Sequence, residues 1–229
     1  MAGGAARRDR RVSDLRLVLA RHGQTQANID RILDTVLPGP PLTELGRAQA
    51  HALGGELGDG AEGTVTALYH SSARRARETA EIVSGYVGLT PLEVTGVHEV
   101  YVGDLEGRND EPAIAEFRRV YDCWQSGALD AAHPGGESGR DLLDRYLPAV
   151  ADLRDRHPDG GTLVLVSHGA ALRLVAQELV EHVGTPRAEE EHVANCGRVV
   201  LRPRGSGWEL VAWRAAVPGG LPSSDDPTG

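Results

Sequence analysis

The sequence predicts an α/β fold, a three-layer sandwich with a mostly parallel central sheet flanked by helices, and three observations carry that expectation. Two compact Val/Leu-rich runs of buried-strand type, Leu15–Ala20 and Thr162–Ser167, together with a weaker third at Thr64–Tyr69, are each followed by a helical stretch. Strand-helix alternation of this kind builds parallel sheets covered on both faces. At 229 residues the chain is also long enough for one core to bury well over half of the unfolded surface.

Each element has a local reason. Residues 1–13, made of Gly, Ala and Arg without periodicity, are expected to form a disordered amino-terminal tail. The first helix opens at Thr43, a residue suited to the N-cap, and runs to about Leu57. Further helices are predicted over Ala73–Tyr86, Glu111–Gln125, Ser138–Arg156 and Ala170–Val183, and Val199–Leu201 and Trp208–Trp213 read as closing strands. The end, 217–229, is rich in breakers and charge and reads as a second disordered tail, leaving a single domain over 14–216. Within that domain, about 103–136 reads as an insertion. Its helix carries Ile114, Phe117, Tyr121 and Trp124 at helical spacing, a stripe that either packs on the domain or forms a lid with Arg118 or Arg119 and His133 near its rim.

Composition excludes several functions. All 24 basic residues are arginine, so neither a P-loop nor lysine Schiff-base chemistry is available. The net charge of −9 argues against nucleic acid or an anionic membrane surface as the main partner, while leaving room for a small anionic substrate in a local basic pocket. Cys123 and Cys196 are the only cysteines, too few for a disulfide framework or a four-cysteine zinc site. Leu15–Ala20 is too short to span a membrane, and the early arginines are not followed by the apolar run of a secretory signal, so a cytoplasmic location is expected. The apolar stripes fit a monomer's core as well as an interface and leave the oligomeric state open.

The chemistry is concentrated in an echo. Leu17-Val18-Leu19-Ala20-Arg21-His22-Gly23 and Leu163-Val164-Leu165-Val166-Ser167-His168-Gly169 both end a buried strand on a His-Gly pair, at the edge where open α/β sheets place ligands. If the strands are parallel neighbours, the two imidazoles meet, and each glycine permits a tight turn and a close backbone approach. Arg21 precedes the first histidine, and Ser71-Ser72-Ala73-Arg74-Arg75-Ala76-Arg77 sets an arginine cluster at a helix start. Free amides and guanidinium forks there suit a phosphate-like anion, although Arg74, Arg75 and Arg77 cannot all point inward. A metal held by His22, His168 and a Glu is the chemical competitor, disfavoured because adjacent arginines repel a divalent cation.

Arg21-His22-Gly23-Gln24-Thr25-Gln26-Ala27-Asn28 resembles the signature of the histidine phosphatase superfamily, which has the phosphoglycerate mutase-like fold. Pro41–Ala50, Ser71–Ala80, His98–Gly107, Gly135-Gly136-Glu137-Ser138 and Ser167-His168-Gly169 follow in the family's order, so the resemblance spans about 15–201. It implies that Arg75 is the helix-borne phosphate-binding arginine and Glu99 the proton donor. His22 is then the nucleophile that forms a phosphohistidine, with His168 as the further catalytic residue and Arg21 and Asn28 as additional phosphate-binding groups. Glu99 needs a partly buried setting that raises its pKa if it is to hold a proton. No cofactor and no metal are implied, since the guanidinium groups supply the positive charge.

The mutase branch of the family usually has a longer insertion, a Trp before the signature Asn, and lysine in its substrate region. This chain has Ala27, a compact insertion and no lysine. The leading expectation is therefore a phosphomonoester hydrolase acting on a small phosphorylated metabolite, ahead of a phosphoglycerate mutase-type transferase and of a non-catalytic phosphate-binding regulatory module. The identity of the leaving group is not written in the motifs.

Overall fold

Six strands, β1 (Leu15–Arg21), β2 (Val65–His70), β3 (Leu92–Glu93), β4 (Gly161–Ser167), β5 (Arg198–Arg204) and β6 (Gly207–Arg214), form one sheet in the order β3-β2-β4-β1-β5-β6. The computed structural model describes residues 15–180, 192–222 and 226–227. β3, β2, β4 and β1 are mutually parallel, β5 pairs antiparallel with β1, and β6 pairs antiparallel with β5. The crossovers carry α1 (Gln26–Ile29), α2 (Glu44–Gly58), α3 (Arg74–Val87), α4 (Glu111–Gln125), α5 (Gly139–Arg156) and α6 (Gly169–Leu179).

Period-2 alternation sorts the strand side chains into two cores. Leu15, Leu17 and Leu19 of β1, with Leu163 and Leu165 of β4, pack toward α4, α5 and α6. Val18 and Ala20, with Val164 and Val166, pack toward α2 and α3. The expected three layers are thus present, and helix ends fall where capping chemistry sets them. Thr43 Oγ1 accepts from the Gly46 amide at 2.9 Å, and Ser138 makes a reciprocal capping box with Asp141. The predicted last helix stops short of its expected end at Leu179, because Val180 turns extended and bridges to Trp208; residues 181–183 lie outside the described ones.

The aromatic stripe of α4 packs on the domain, one of the two alternatives expected for it: Ile114, Phe117, Tyr121 and Trp124 are buried with Leu142 and Tyr146 of α5, and Arg119 pairs with Glu116 at the surface. Two expectations need correction. His133 is not on a rim but 1% exposed, stacked on the Phe117 ring at 5.3 Å and edge-on to Trp124. Nor is the described part of 217–229 loose. Val217 and Asp226 are buried, and the Pro222 carbonyl accepts from Gln49 Nε2 at 2.7 Å. Breaker-rich composition limits regular structure among the segment's described residues to one 3-10 turn, Pro218–Gly220, yet leaves backbone and carboxylate groups free to dock by hydrogen bonds. The tail predicted over 1–13 lies outside the described residues.

Neither ring nitrogen of His133 has a hydrogen-bond partner among the described residues, and burial lowers its pKa to about 4. The unfolded chain therefore binds a proton below pH 6.5 that the folded chain refuses, and stability is lost as pH falls from about 6.5 toward 4. His133→Leu is expected to flatten the pH dependence of the unfolding free energy by about 1.4 kcal/mol per pH unit across that window. Urea titrations at several pH values check this; an unchanged slope would count against it.

Candidate active site

Parallel pairing sets Arg21 beside Ser167, so both His-Gly turns leave the sheet at the same level and the rings of His22 and His168 lie 5.3 Å apart, edge to face. His22 Nδ1 lies 2.8 Å from its neighbour's carbonyl, Gly23 O, which can only accept; Nδ1 therefore carries the proton. Nε2 is left with its lone pair and accepts from Arg75 Nε at 3.1 Å. Burial, reinforced by the charges of Arg75 and Arg21, pushes the His22 pKa well below its ordinary value, so the ring is neutral at pH 7. Gly23 serves packing: a Cβ there would meet the Gly46 carbonyl of α2 at 2.4 Å.

His168 is fully buried, with Nε2 2.6 Å from Ser71 Oγ, a hydroxyl delivered by the end of the next parallel strand, β2. Its pKa is also pushed well down, by burial and then by Arg75 and His22. Four residues after Ser71, Arg75 enters in the first turn of α3. Of the arginine cluster it alone is buried; Arg74 pairs with Glu78 and Arg77 with Glu81 on the outer surface. Besides Nε on His22, Arg75 donates Nη1 to Asp34 Oδ2 at 3.0 Å and Nη2 to the Asp34 carbonyl at 3.1 Å. The strap holding Asp34 hugs the guanidinium so closely that a Cβ on Gly39, whose φ is +70°, would meet Nη1 at 2.4 Å. Glu106 pins the strap by accepting from the Thr35 and Val36 amides.

Glu99 is 3% exposed, deeper than the partial burial its expected role needs. Burial raises its pKa, against the Val100 amide and the Arg75 charge, which favour the carboxylate. Its oxygens accept from Val100 N at 2.8 Å and from the α6 amino-terminal amides of Ala170 and Ala171 at 3.2 and 3.0 Å. Behind it, Arg145 of α5 donates to the carbonyls of Gly96, His98 and Glu99 and pairs with Glu137. Glu137 in turn accepts from Tyr101 N at 2.9 Å. The Gly-Gly-Glu-Ser segment therefore frames the loop that carries Glu99.

Asn28 caps its own turn, with Oδ1 accepting from Thr25 N and Asn195 Nδ2, so the remaining polar group of its amide is a donor. Arg21, by contrast, is fully buried; Nη1 reaches the Val193 carbonyl at 2.9 Å and Nη2 both Asp226 oxygens at 2.7 Å.

A polar cleft is lined by His22, Thr25, Ala27, Asn28, Ile32, Asp34, Arg75 and Glu99. Of the six residues expected from the sequence, His22, Asn28, Arg75 and Glu99 thus share one surface, and Arg21 and His168 are not part of that lining. Asp34, Ser71, Arg145, Asn195 and Asp226 were not singled out from the sequence. Ser71 and Arg145 lie in or just after quoted motifs and could have been flagged there, whereas Asp34 and Asp226 carry no local signal.

Residues 17–216 match the model of the histidine phosphatase superfamily, branch 1. The chain belongs to the histidine phosphatase superfamily. Among curated relatives, a probable phosphoglycerate mutase of Escherichia coli is 30% identical over 93% of this chain and 96% of its own. Phosphoglycerate mutase-like protein 4 of Arabidopsis thaliana is 30% identical over 86% and 84%. Among solved structures, a mycobacterial glucosyl-3-phosphoglycerate phosphatase in complex with VO3 superposes with a TM-score of 0.75 at 29% identity, covering 88% of this chain and 100% of that one. A putative alpha-ribazole-5'-phosphate phosphatase of Escherichia coli K-12 gives 0.69 at 25%, covering 87% and 96%. No helix among the described residues is long and apolar enough to cross a membrane.

For this member of the superfamily, Asp226→Ala removes a partner from a fully buried guanidinium and is expected to lower the unfolding free energy by about 3 kcal/mol. The same change at Asp130, whose pair with Arg140 is solvent-exposed, should cost far less. Equal losses in urea denaturation would show that the tail contact contributes no more than a surface pair.

Proposed function

We propose that the protein is a metal-independent phosphomonoester hydrolase acting on a small phosphorylated metabolite through a phosphohistidine intermediate. The observation that carries this reading is the neutral Nε2 of His22, unprotonated because Nδ1 is committed to Gly23, in a cleft shared with Arg75 and Glu99. An uncharged nucleophile avoids repulsion by the phosphate dianion. As the Nε2–phosphorus bond forms and the ester bond breaks, Arg75 and the Asn28 amide donor stabilise the equatorial oxygens, and His168, tied to Ser71, packs edge to face against the His22 ring from behind the cleft. Arg21 acts through its charge, which helps hold His22 neutral. Glu99 gives its proton to the departing alkoxide. It then takes a proton from water, whose oxygen attacks phosphorus and releases His22 and inorganic phosphate.

Phosphatase neighbours, Ala27 at the position where mutases usually have Trp, and the compact insertion support hydrolysis. Mutase-type transfer is the second reading, favoured by the names of the relatives at 30% identity. Incubation with a phosphorylated sugar and with 3-phosphoglycerate separates them: a hydrolase releases inorganic phosphate, and a mutase yields the isomer.

His22→Ala is expected to abolish aryl phosphate hydrolysis and acid-labile phosphoenzyme together, in the presence or absence of chelator; a variant retaining full activity would sink the mechanism. The pH profile follows from the two shifted groups. His22 must be neutral, so kcat/KM rises with pH through a value well below 6.5. Glu99 must start protonated, so kcat/KM falls as pH passes its raised pKa, and the optimum lies between the lowered pKa of His22 and the raised pKa of Glu99. Glu99→Gln should slow turnover by about 100-fold or more and remove that falling limb.

A further inference from the structure

The cleft contains an acidic group that the proposed chemistry does not use. Asp34 lines it beside His22 and Arg75, with its side chain 23% exposed. Arg75 is the only cation among the described residues lining the cleft, and its three nitrogens are engaged by His22, by the Asp34 carboxylate and by the Asp34 carbonyl. Arg21 is committed to Asp226 and Val193, and Arg74 and Arg47 to Glu78. Around Asp34 the field is acidic, with Glu106 under the same strap and Glu99 across the cleft. A phosphoryl group bound to Arg75 and Asn28 is compensated. An additional anion on the leaving group would meet the Asp34 carboxylate with no described guanidinium in the lining left to answer it.

We infer that Asp34 is a specificity-determining residue that excludes leaving groups bearing a carboxylate and admits uncharged, hydroxyl-bearing alcohols, whose hydroxyl can donate to Asp34 Oδ1. This rests on the hydrolase reading and narrows its substrate class. Rejection works by repulsion and by stranding a buried anion, and a single like-charge contact of this kind discriminates by about tenfold or more. The carboxylate also anchors Arg75, so the readout must separate charge selection from a general loss of Arg75 geometry.

The experiment compares kcat/KM for glycerol 3-phosphate and 3-phosphoglycerate, near-isosteric esters differing in a hydroxymethyl against a carboxylate, with an aryl phosphate as reference. The native protein is expected to favour glycerol 3-phosphate by at least about tenfold. Asp34→Asn, which keeps an acceptor for Arg75, should shrink that ratio several-fold, and Asp34→Glu should restore it. A ratio is insensitive to a uniform loss of rate, so a merely structural role for Asp34 would leave it unchanged. An unchanged ratio in Asp34→Asn, or a native preference for 3-phosphoglycerate, overturns the inference while the hydrolase reading stands. Absence of aryl phosphate hydrolysis in the native protein overturns both.

Discussion

The parallel pairing of β1 with β4 is the constraint on which the other features depend. Its register places Arg21 beside Ser167, so His22 and His168 leave the sheet side by side. β2 runs parallel on the other flank of β4 and delivers Ser71 to His168, and α3 starts at once to bring in Arg75. Because α6 begins immediately after His168, its first amides are available to hold Glu99. A slip of one residue would exchange the two faces of β1 and bury its side chains in the wrong layer, so the two-sided core enforces the register that assembles the site.

Buried charge is managed by multiplicity of contact. Arg75 serves His22, a carboxylate and a carbonyl from one planar group, which an ammonium on a flexible stem could not reproduce. Arg21 is held by a carbonyl and a carboxylate, and Arg145 by three carbonyls and Glu137. In a chain without lysine most arginines among the described residues are exposed background, whereas these three are built into the site and its supports. The opposing effects on Glu99, burial against three amides and nearby guanidinium groups, leave it a carboxyl that both holds and accepts a proton more readily than a surface glutamate.

The architecture was legible where a repeating physical pattern had to be satisfied. Alternation in Leu15–Ala20 and Thr162–Ser167, the caps at Thr43 and Ser138, and the α4 stripe each follow from burying one face or satisfying one helix end. The choice between lid and core for that stripe was not local, because either would show the same periodicity; contact with Leu142 and Tyr146 decides it. The tail misled for a related reason. Composition reports the absence of regular structure, and it took the docking of Asp226 and Pro222 on β1 and α2 to reveal order.

By itself, the sequence determined the α/β class, the two His-Gly strand ends and, through the motif series, the family and the roles expected of its residues. Local chemistry suffices for these, since strand periodicity, turn glycines and motif spacing are written in consecutive residues. Only the tertiary structure decided which nitrogen of His22 carries the proton, that Asp34 shares the cleft, and that Arg21 is bound to Asp226. Those facts depend on groups far apart in the chain: 205 residues separate Arg21 from Asp226, 72 separate Glu99 from Ala171, and 41 separate Arg75 from Asp34. No periodicity spans such distances, and the partner of a buried polar group is set by which segments folding brings within hydrogen-bonding reach.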